Sequence, residues 1–280
     1  MTASGEPRIE YVEARRVLLD ALTGLQPHIG AIVLIGAQAV YLRTADRMPR
    51  YQAFTTDADL VVDPNRLADI PLLGEAMEAA GFFHSGQPGI WHRYVARPDR
   101  DDVTVPLDLI VPDYLAPKAG RRGARLPGHH GSSAAQKTKG VEGAVVDFDP
   151  IEIVALESAD TRRVIVNVAG PAALLIAKAH KLGERLDQPQ RLKAKDAGDV
   201  YRLVEATSMD DICVAIRRLK ADKRSAMATD IGLAHLRQLF ATPRSPGIAL
   251  AVQALGQVAD ASTVAATLTG FMRDLAATIG

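Results

Sequence analysis

The stretch Thr55-Thr56-Asp57-Ala58-Asp59-Leu60-Val61-Val62 decides the fold. Its apolar end predicts a strand over 54–62. Side chains alternate along a strand, so Asp57 and Asp59 share one face and Ala58 turns away. Two neighbouring carboxylates repel each other, and a divalent cation relieves that repulsion. The plain alternative is a strand end with two solvated aspartates, because an isolated D-x-D matches often by chance. The surrounding sequence therefore carries the weight.

Upstream, Ala31-Ile32-Val33-Leu34-Ile35 is a wholly apolar run and predicts a buried strand. Gly36-Ala37 then starts a turn into a helix through Ala39, Val40 and Leu42. A glycine between strand and helix lets backbone N–H groups approach a phosphate, and the helix N-terminus favours its charge. Downstream, Val103–Val111 predicts a further strand carrying Asp108 between Leu107 and Leu109. A carboxylate in that setting is expensive unless it is paired, metal-bound or tied by backbone hydrogen bonds. If this strand lies beside 54–62, Asp57, Asp59 and Asp108 converge on one face. They then form the oxygen set expected for one or two Mg²⁺ ions that share phosphate oxygens.

The 280 residues are 48% apolar and 24% charged, the composition of a globular protein with a substantial core. Cys213 is the single cysteine, which rules out an intrachain disulfide and fits a reducing compartment. No apolar stretch is long enough for a membrane span, and residues 1–10 carry no export signal, so a cytoplasmic location is expected. With 33 basic and 33 acidic residues, net charge argues for no particular partner. Charge distribution says more. Between Pro112 and Gly140 stand Lys118, Arg121, Arg122, Arg125, Lys137 and Lys139 against one acid, Asp113. This basic, glycine-rich loop reads equally as a phosphate-backbone contact or as a surface excursion.

Helical spacing over 9–24 precedes the first strand. Asp63-Pro64 reads as an N-cap and first helical residue, opening a helix to Ala80 with Gly81 as its stop. Strands are expected at 91–96, 103–111, 144–147, 151–156 and 163–168. From Pro171 the apolar residues recur at helical spacing to the C-terminus. The expectation is a mixed-sheet α/β (α+β) domain over 1–169 and an all-helical domain over 170–280. Trp91, His92, Arg93 and Tyr94 could stack on a base, but a half-buried strand explains them equally well.

The order strand–Gly36–helix, D-x-D strand, single-Asp strand resembles the nucleotidyltransferase superfamily typified by DNA polymerase β. Leu174-Leu-Ile-Ala-Lys178-Ala-His-Lys-Leu-Gly-Glu-Arg185, followed by Lys195-Asp196-Ala-Gly-Asp199-Val-Tyr-Arg-Leu203, resembles the helical half of the AbiEii family. Those proteins are toxins of type IV toxin–antitoxin pairs and include the MenT group. The resemblance covers roughly residues 30–205. It implies Asp57, Asp59 and Asp108 as metal ligands, Thr55 as the hydroxyl of the S/T-x-D-x-D element, and Gly36-Ala37 as the phosphate turn. It further implies Lys178 and Lys181 at the nucleotide phosphates, with Asp196 as the acid of K-D-x-x-D beside Lys195 and Asp199. The helical half would close the cleft.

The implied reaction is Mg²⁺-dependent transfer of a nucleoside monophosphate from an NTP to an acceptor hydroxyl. The acceptor implied is the 3′ end of tRNA, contacted by Arg121, Arg122, Arg125, Lys137 and Lys139 and by the basic run 217–224, with a cognate antitoxin as a possible partner. Without the resemblance, Lys178 reads as a helix-surface lysine and Asp196/Asp199 as a solvated face. Two departures stand out. Ala37 occupies the turn where the family has a second glycine or serine and then a hydroxyl residue. Ala53 replaces an arginine, and Arg47 and Arg50 are the nearby arginines that would stand in for it. Both departures favour the reading of a catalytically dead nucleotide-binding module; a separate rival is an enzyme of the same fold that transfers to a small molecule or a protein side chain.

Overall fold

Ile32–Ile35 forms β1, buried along its whole length, in a computed structural model that describes residues 7–45, 47–48, 54–97, 101–116, 122–256 and 258–279. It pairs antiparallel with β2 (Ala58–Val62), with Ile35 opposite Asp59. Helix α1 (Ile9–Gly24) precedes it and α2 (Gly36–Thr44) follows it directly. Helix α3 (Leu73–Ala79) leads into β3 (Phe83–His84), β4 (Ile90–Val95) and β5 (Val103–Pro112). Next come β6 (Gln136–Thr138), β7 (Phe148–Val154) and β8 (Arg163–Ala169). The sheet order is β3-β4-β5-β2-β1-β8-β7, with β6 pairing β5. β2–β5 and β1–β8 are parallel while β1–β2 and β4–β5 are antiparallel, so the sheet is mixed. β7 lies at an edge of the order, where its Pro150 removes no donor that a central strand would need.

The chain divides into two compact units. One comprises Met1–Gln38, Gln52–Thr138 and Asp149–Val168, the other Ala39–Tyr51, Lys139–Phe148 and Ala169–Gly280. In the first, α1, with Val17, Leu18 and Leu22 buried, packs on β2, β5 and α3. The second is helical from Pro171 onward, as the spacing predicts: α4 (Pro171–Gly183), α5 (Ala194–Ala206), α6 (Met209–Ala221), α7 (Ala226–Phe240), α8 (Pro246–Leu255) and α9 (Ala261–Ile279). α4, with Leu174, Leu175 and Ile176 buried, packs against α5, α6 and α7.

Several boundaries differ from expectation, each for a local physical reason. The aspartate strand begins at Ala58, so Asp57 lies just outside the ladder. No helix starts at Pro64. Asp63 instead makes a tight turn, its side chain accepting from Asn65 N–H at 3.0 Å and its carbonyl from Arg66 N–H at 3.1 Å. A helix from 64 to 80 would hold Pro71 in its interior, where the missing N–H and the ring clash break it. His130 also engages this segment, accepting from Leu73 N–H at 3.0 Å. Its Nδ1 is thus an acceptor, which makes Nε2 the donor to the Ala68 carbonyl at 2.8 Å. Gly81 does end α3, at φ +81°.

The strand expected at 144–147 is a 3₁₀ turn, Glu142–Val145. Asp147 is drawn away to cap α4, accepting from Ala173 N–H at 3.1 Å where Gly170 has no side chain to do so. The glycine-rich loop is not wholly irregular, because β6 forms inside it and seats Lys137 on a strand. Neither β3 nor β6 has enough residues to show a period.

Candidate active site

Gly36 adopts φ +72°, a left-handed conformation that any other residue would find strained, and the Asp59 carboxylate fills the space a Cβ would need. The strand–glycine–helix turn therefore lies directly against the second aspartate of D-x-D. Asp59 is in register with Asp108 on the parallel neighbour β5. Register partners point to the same side of a sheet, and adjacent strands are only about 4.7–4.9 Å apart, so the two carboxylates are neighbours. Both are half-buried. Gln136, on β6, donates to Asp108 Oδ2 at 3.1 Å.

Asp57 is half-buried one residue before β2, and its carboxylate accepts from the buried Thr55 hydroxyl. The strand alternation expected to align it with Asp59 does not extend that far. Among the described residues no three His, Cys, Asp or Glu side chains form a group able to hold a metal ion. What the strands assemble is a pair. That pair suits Mg²⁺, which usually keeps several waters and is bound through one or two carboxylates plus substrate phosphates.

In the second unit, Lys178 on α4 donates to Asp196 at 2.7 Å and to Asp199 at 2.6 Å on α5. Lys181 reaches Asp196 at 3.4 Å. Positions i and i+3 share a helix face, which is why one lysine meets both acids. None of the three is a surface residue: Lys178 is only 5% exposed, and Asp196 and Asp199 are buried. Burial alone would favour the neutral lysine, but the charges of Asp199 and Asp196 outweigh it and hold its pKa above the ordinary value. Burial likewise pushes Asp196 up, and Lys178 with Lys181 overcomes it, bringing the carboxyl down to about 2 from 3.8.

A depressed folded-state pKa contributes stability that is complete above the unfolded value, near pH 4, and lost as pH falls toward 2. At 1.36 kcal/mol per unit this is worth about 2 kcal/mol. Unfolding free energy measured between pH 5 and pH 2 should therefore fall more steeply in the wild type than in Asp196→Asn. Equal slopes would mean that Asp196 is not held ionised by the lysines. Lys178 acts in the opposite range, its contribution intact below about 10.5 and lost above.

Of the basic positions, Arg122, Arg125 and Lys139 are exposed and Lys137 is half-buried. Lys118, Arg121, Arg50 and Ala53 lie outside the described residues. In the second basic run, Arg218 pairs with Asp147, Lys220 with Asp230 at 3.5 Å, and Arg224 with Asp222 at 2.7 Å. Trp91 is buried, its Nε1 donating to the Ala134 carbonyl at 2.9 Å, so the strand reading accounts for it. Tyr94 is 68% exposed and stacks on Phe83 at 4.6 Å. Cys213 is buried in α6, and no described helix is long and apolar enough to cross a membrane.

Sequence reasoning missed Gln136, which bonds to Asp108, the buried Gln38, which bonds to the Asp57 carbonyl, and the buried Arg15, which bonds to Gln38. A lone polar residue between Ala37 and Ala39 was the one available signal for Gln38.

No protein-family model matches the chain, and no curated protein does. Among solved structures it is similar to that of an antigenic nucleotidyltransferase-like protein from Paracoccidioides brasiliensis, at 14% identity and a TM-score of 0.45. The match covers 86% of this chain and 93% of that one.

Proposed function

We propose that this protein is a Mg²⁺-dependent nucleotidyltransferase that moves a nucleoside monophosphate from an NTP to an acceptor hydroxyl. The observation that carries the reading is the Asp59–Asp108 register pair with the Gly36 turn lying against Asp59. Glycine at the head of α2 offers backbone N–H donors and a helix N-terminus to a triphosphate. The Asp59–Asp108 pair would hold Mg²⁺, which when bound would polarise the phosphoryl oxygens and neutralise developing charge; Asp57 is assigned as a further ligand on the T-x-D-x-D motif alone. The acceptor oxygen bonds to the α-phosphorus as the α–β bridging bond breaks. Pyrophosphate leaves, and the hydroxyl proton passes to a carboxylate of the cluster.

The finer reading is an AbiEii-like toxin whose acceptor is the 3′ end of tRNA, with an antitoxin as partner. It is supported by the T-x-D-x-D stretch together with the Lys178/Asp196/Asp199 constellation, whose spaced motif residues meet in three dimensions. Exposed Arg122, Arg125 and Lys139 are the backbone contacts it requires, with Lys137 beside them. Purified protein is incubated with Mg²⁺, each labelled NTP and total tRNA, next to Asp57→Ala. Label should enter tRNA with the wild type alone. An active Asp57→Ala sinks the metal assignment. Binding of NTP without labelled tRNA moves the acceptor elsewhere.

A further inference from the structure

Gln38, on the first turn of α2, is 1% exposed and makes three hydrogen bonds. Its Oε1 accepts from Arg15 Nε at 3.0 Å. Its Nε2 donates to the Ala14 carbonyl at 3.1 Å and to the Asp57 carbonyl at 3.1 Å. The orientation of the amide is dictated by its partners. Arg15 can only donate and the two carbonyls can only accept, so a flipped amide would face like groups on every side. Arg15 is itself 2% exposed and held by the Tyr11 hydroxyl at 2.8 Å and the Val154 carbonyl at 3.0 Å. All its partners in this network are neutral, and burial lowers its pKa from the ordinary arginine value.

Asp57 is the residue most in need of such support. β2 starts at Ala58, so no ladder bond holds the Asp57 carbonyl. Gln38 takes the place of the missing rung. Because Gln38 follows Gly36 by two positions on the same helix, one rigid element carries both the phosphate turn and the clamp on the Asp57 backbone. Thr55 engages the carboxylate itself.

We propose that Gln38 is a positioning residue that fixes Asp57 relative to the Gly36 turn, with Arg15 fixing the amide of Gln38. This rests on the reading of Asp57 as a metal ligand. Groups behind a metal ligand typically change metal affinity about 10- to 100-fold when removed.

The test measures Mn²⁺ binding by the loss of its free-ion resonance, together with amide hydrogen exchange, on the full chain. Gln38→Met removes the clamp. Gln38→Glu keeps an acceptor for Arg15 but loses both donors, and serves should Gln38→Met fail to fold. Both variants should bind Mn²⁺ about 10- to 100-fold more weakly. Exchange over residues 54–57 should quicken at least about tenfold while that of Ile32–Ile35 stays unchanged. Wild-type affinity in the variants, or exchange raised equally in both segments, overturns the positioning role alone. A wild type that binds no Mn²⁺ overturns the metal-site reading beneath it.

Discussion

Lys178→Met is expected to lower the free energy of unfolding by about 3–5 kcal/mol, the range for removing one partner of a buried ion pair. The side chain is buried with carboxylates at 2.7 and 2.6 Å. Methionine fills a similar volume, so packing is largely preserved and the loss reports the charge. What remains is Asp196 and Asp199 close together in a buried site, with Lys181, at 3.4 Å from Asp196, left in place of the buried ammonium. One carboxyl must then take up a proton, and the destabilisation should shrink as pH is lowered toward 4. Urea unfolding at pH 7 and pH 5 checks both points. A variant as stable as the wild type at pH 7 would show that the three charges contribute nothing net to folding. Replacing Asp196 and Asp199 by leucine together with Lys178→Met should recover most of the loss, because a well-packed apolar cluster needs no counter-charges.

The second large effect is on catalysis. Asp59→Asn should reduce nucleotidyl transfer by about a thousandfold, the equivalent of about 4 kcal/mol of transition-state stabilisation supplied through the bound cation. Asparagine keeps the shape that sits against Gly36 while losing the negative charge. Stability should hold or rise slightly, since like charges directly opposite each other on paired strands are destabilising and Asp59 faces Asp108. Steady-state transfer rates beside urea unfolding test the pair of statements. Lost activity with unchanged or increased stability marks a residue kept for chemistry. Activity within tenfold of the wild type would remove Asp59 from the site.

How far the sequence reached is clearest at three places. Ile32–Ile35 was legible because four consecutive buried apolar residues before a glycine leave few options other than a central strand. Asp59 and Asp108 were legible because a carboxylate among leucines and valines conflicts with its surroundings, and such conflicts mark places where another interaction is present. The turn at Asp63 was not, since proline after aspartate opens a turn as readily as a helix. What decided it were Pro71 and His130, the latter distant in sequence.

The sequence by itself determined what local chemistry controls: the periods of the strands and helices, the glycine turn, the mixed sheet followed by helices, and the positions of the acids. Only the tertiary structure decided which acids are neighbours. Register placed Asp59 beside Asp108, strand length left Asp57 outside the ladder, and a buried glutamine from α2 took up its carbonyl. Burial, too, was decided there. Lys178, Asp196 and Asp199 are ordinary helix-surface residues until α4 and α5 pack together. Once water is excluded, each charge requires the others.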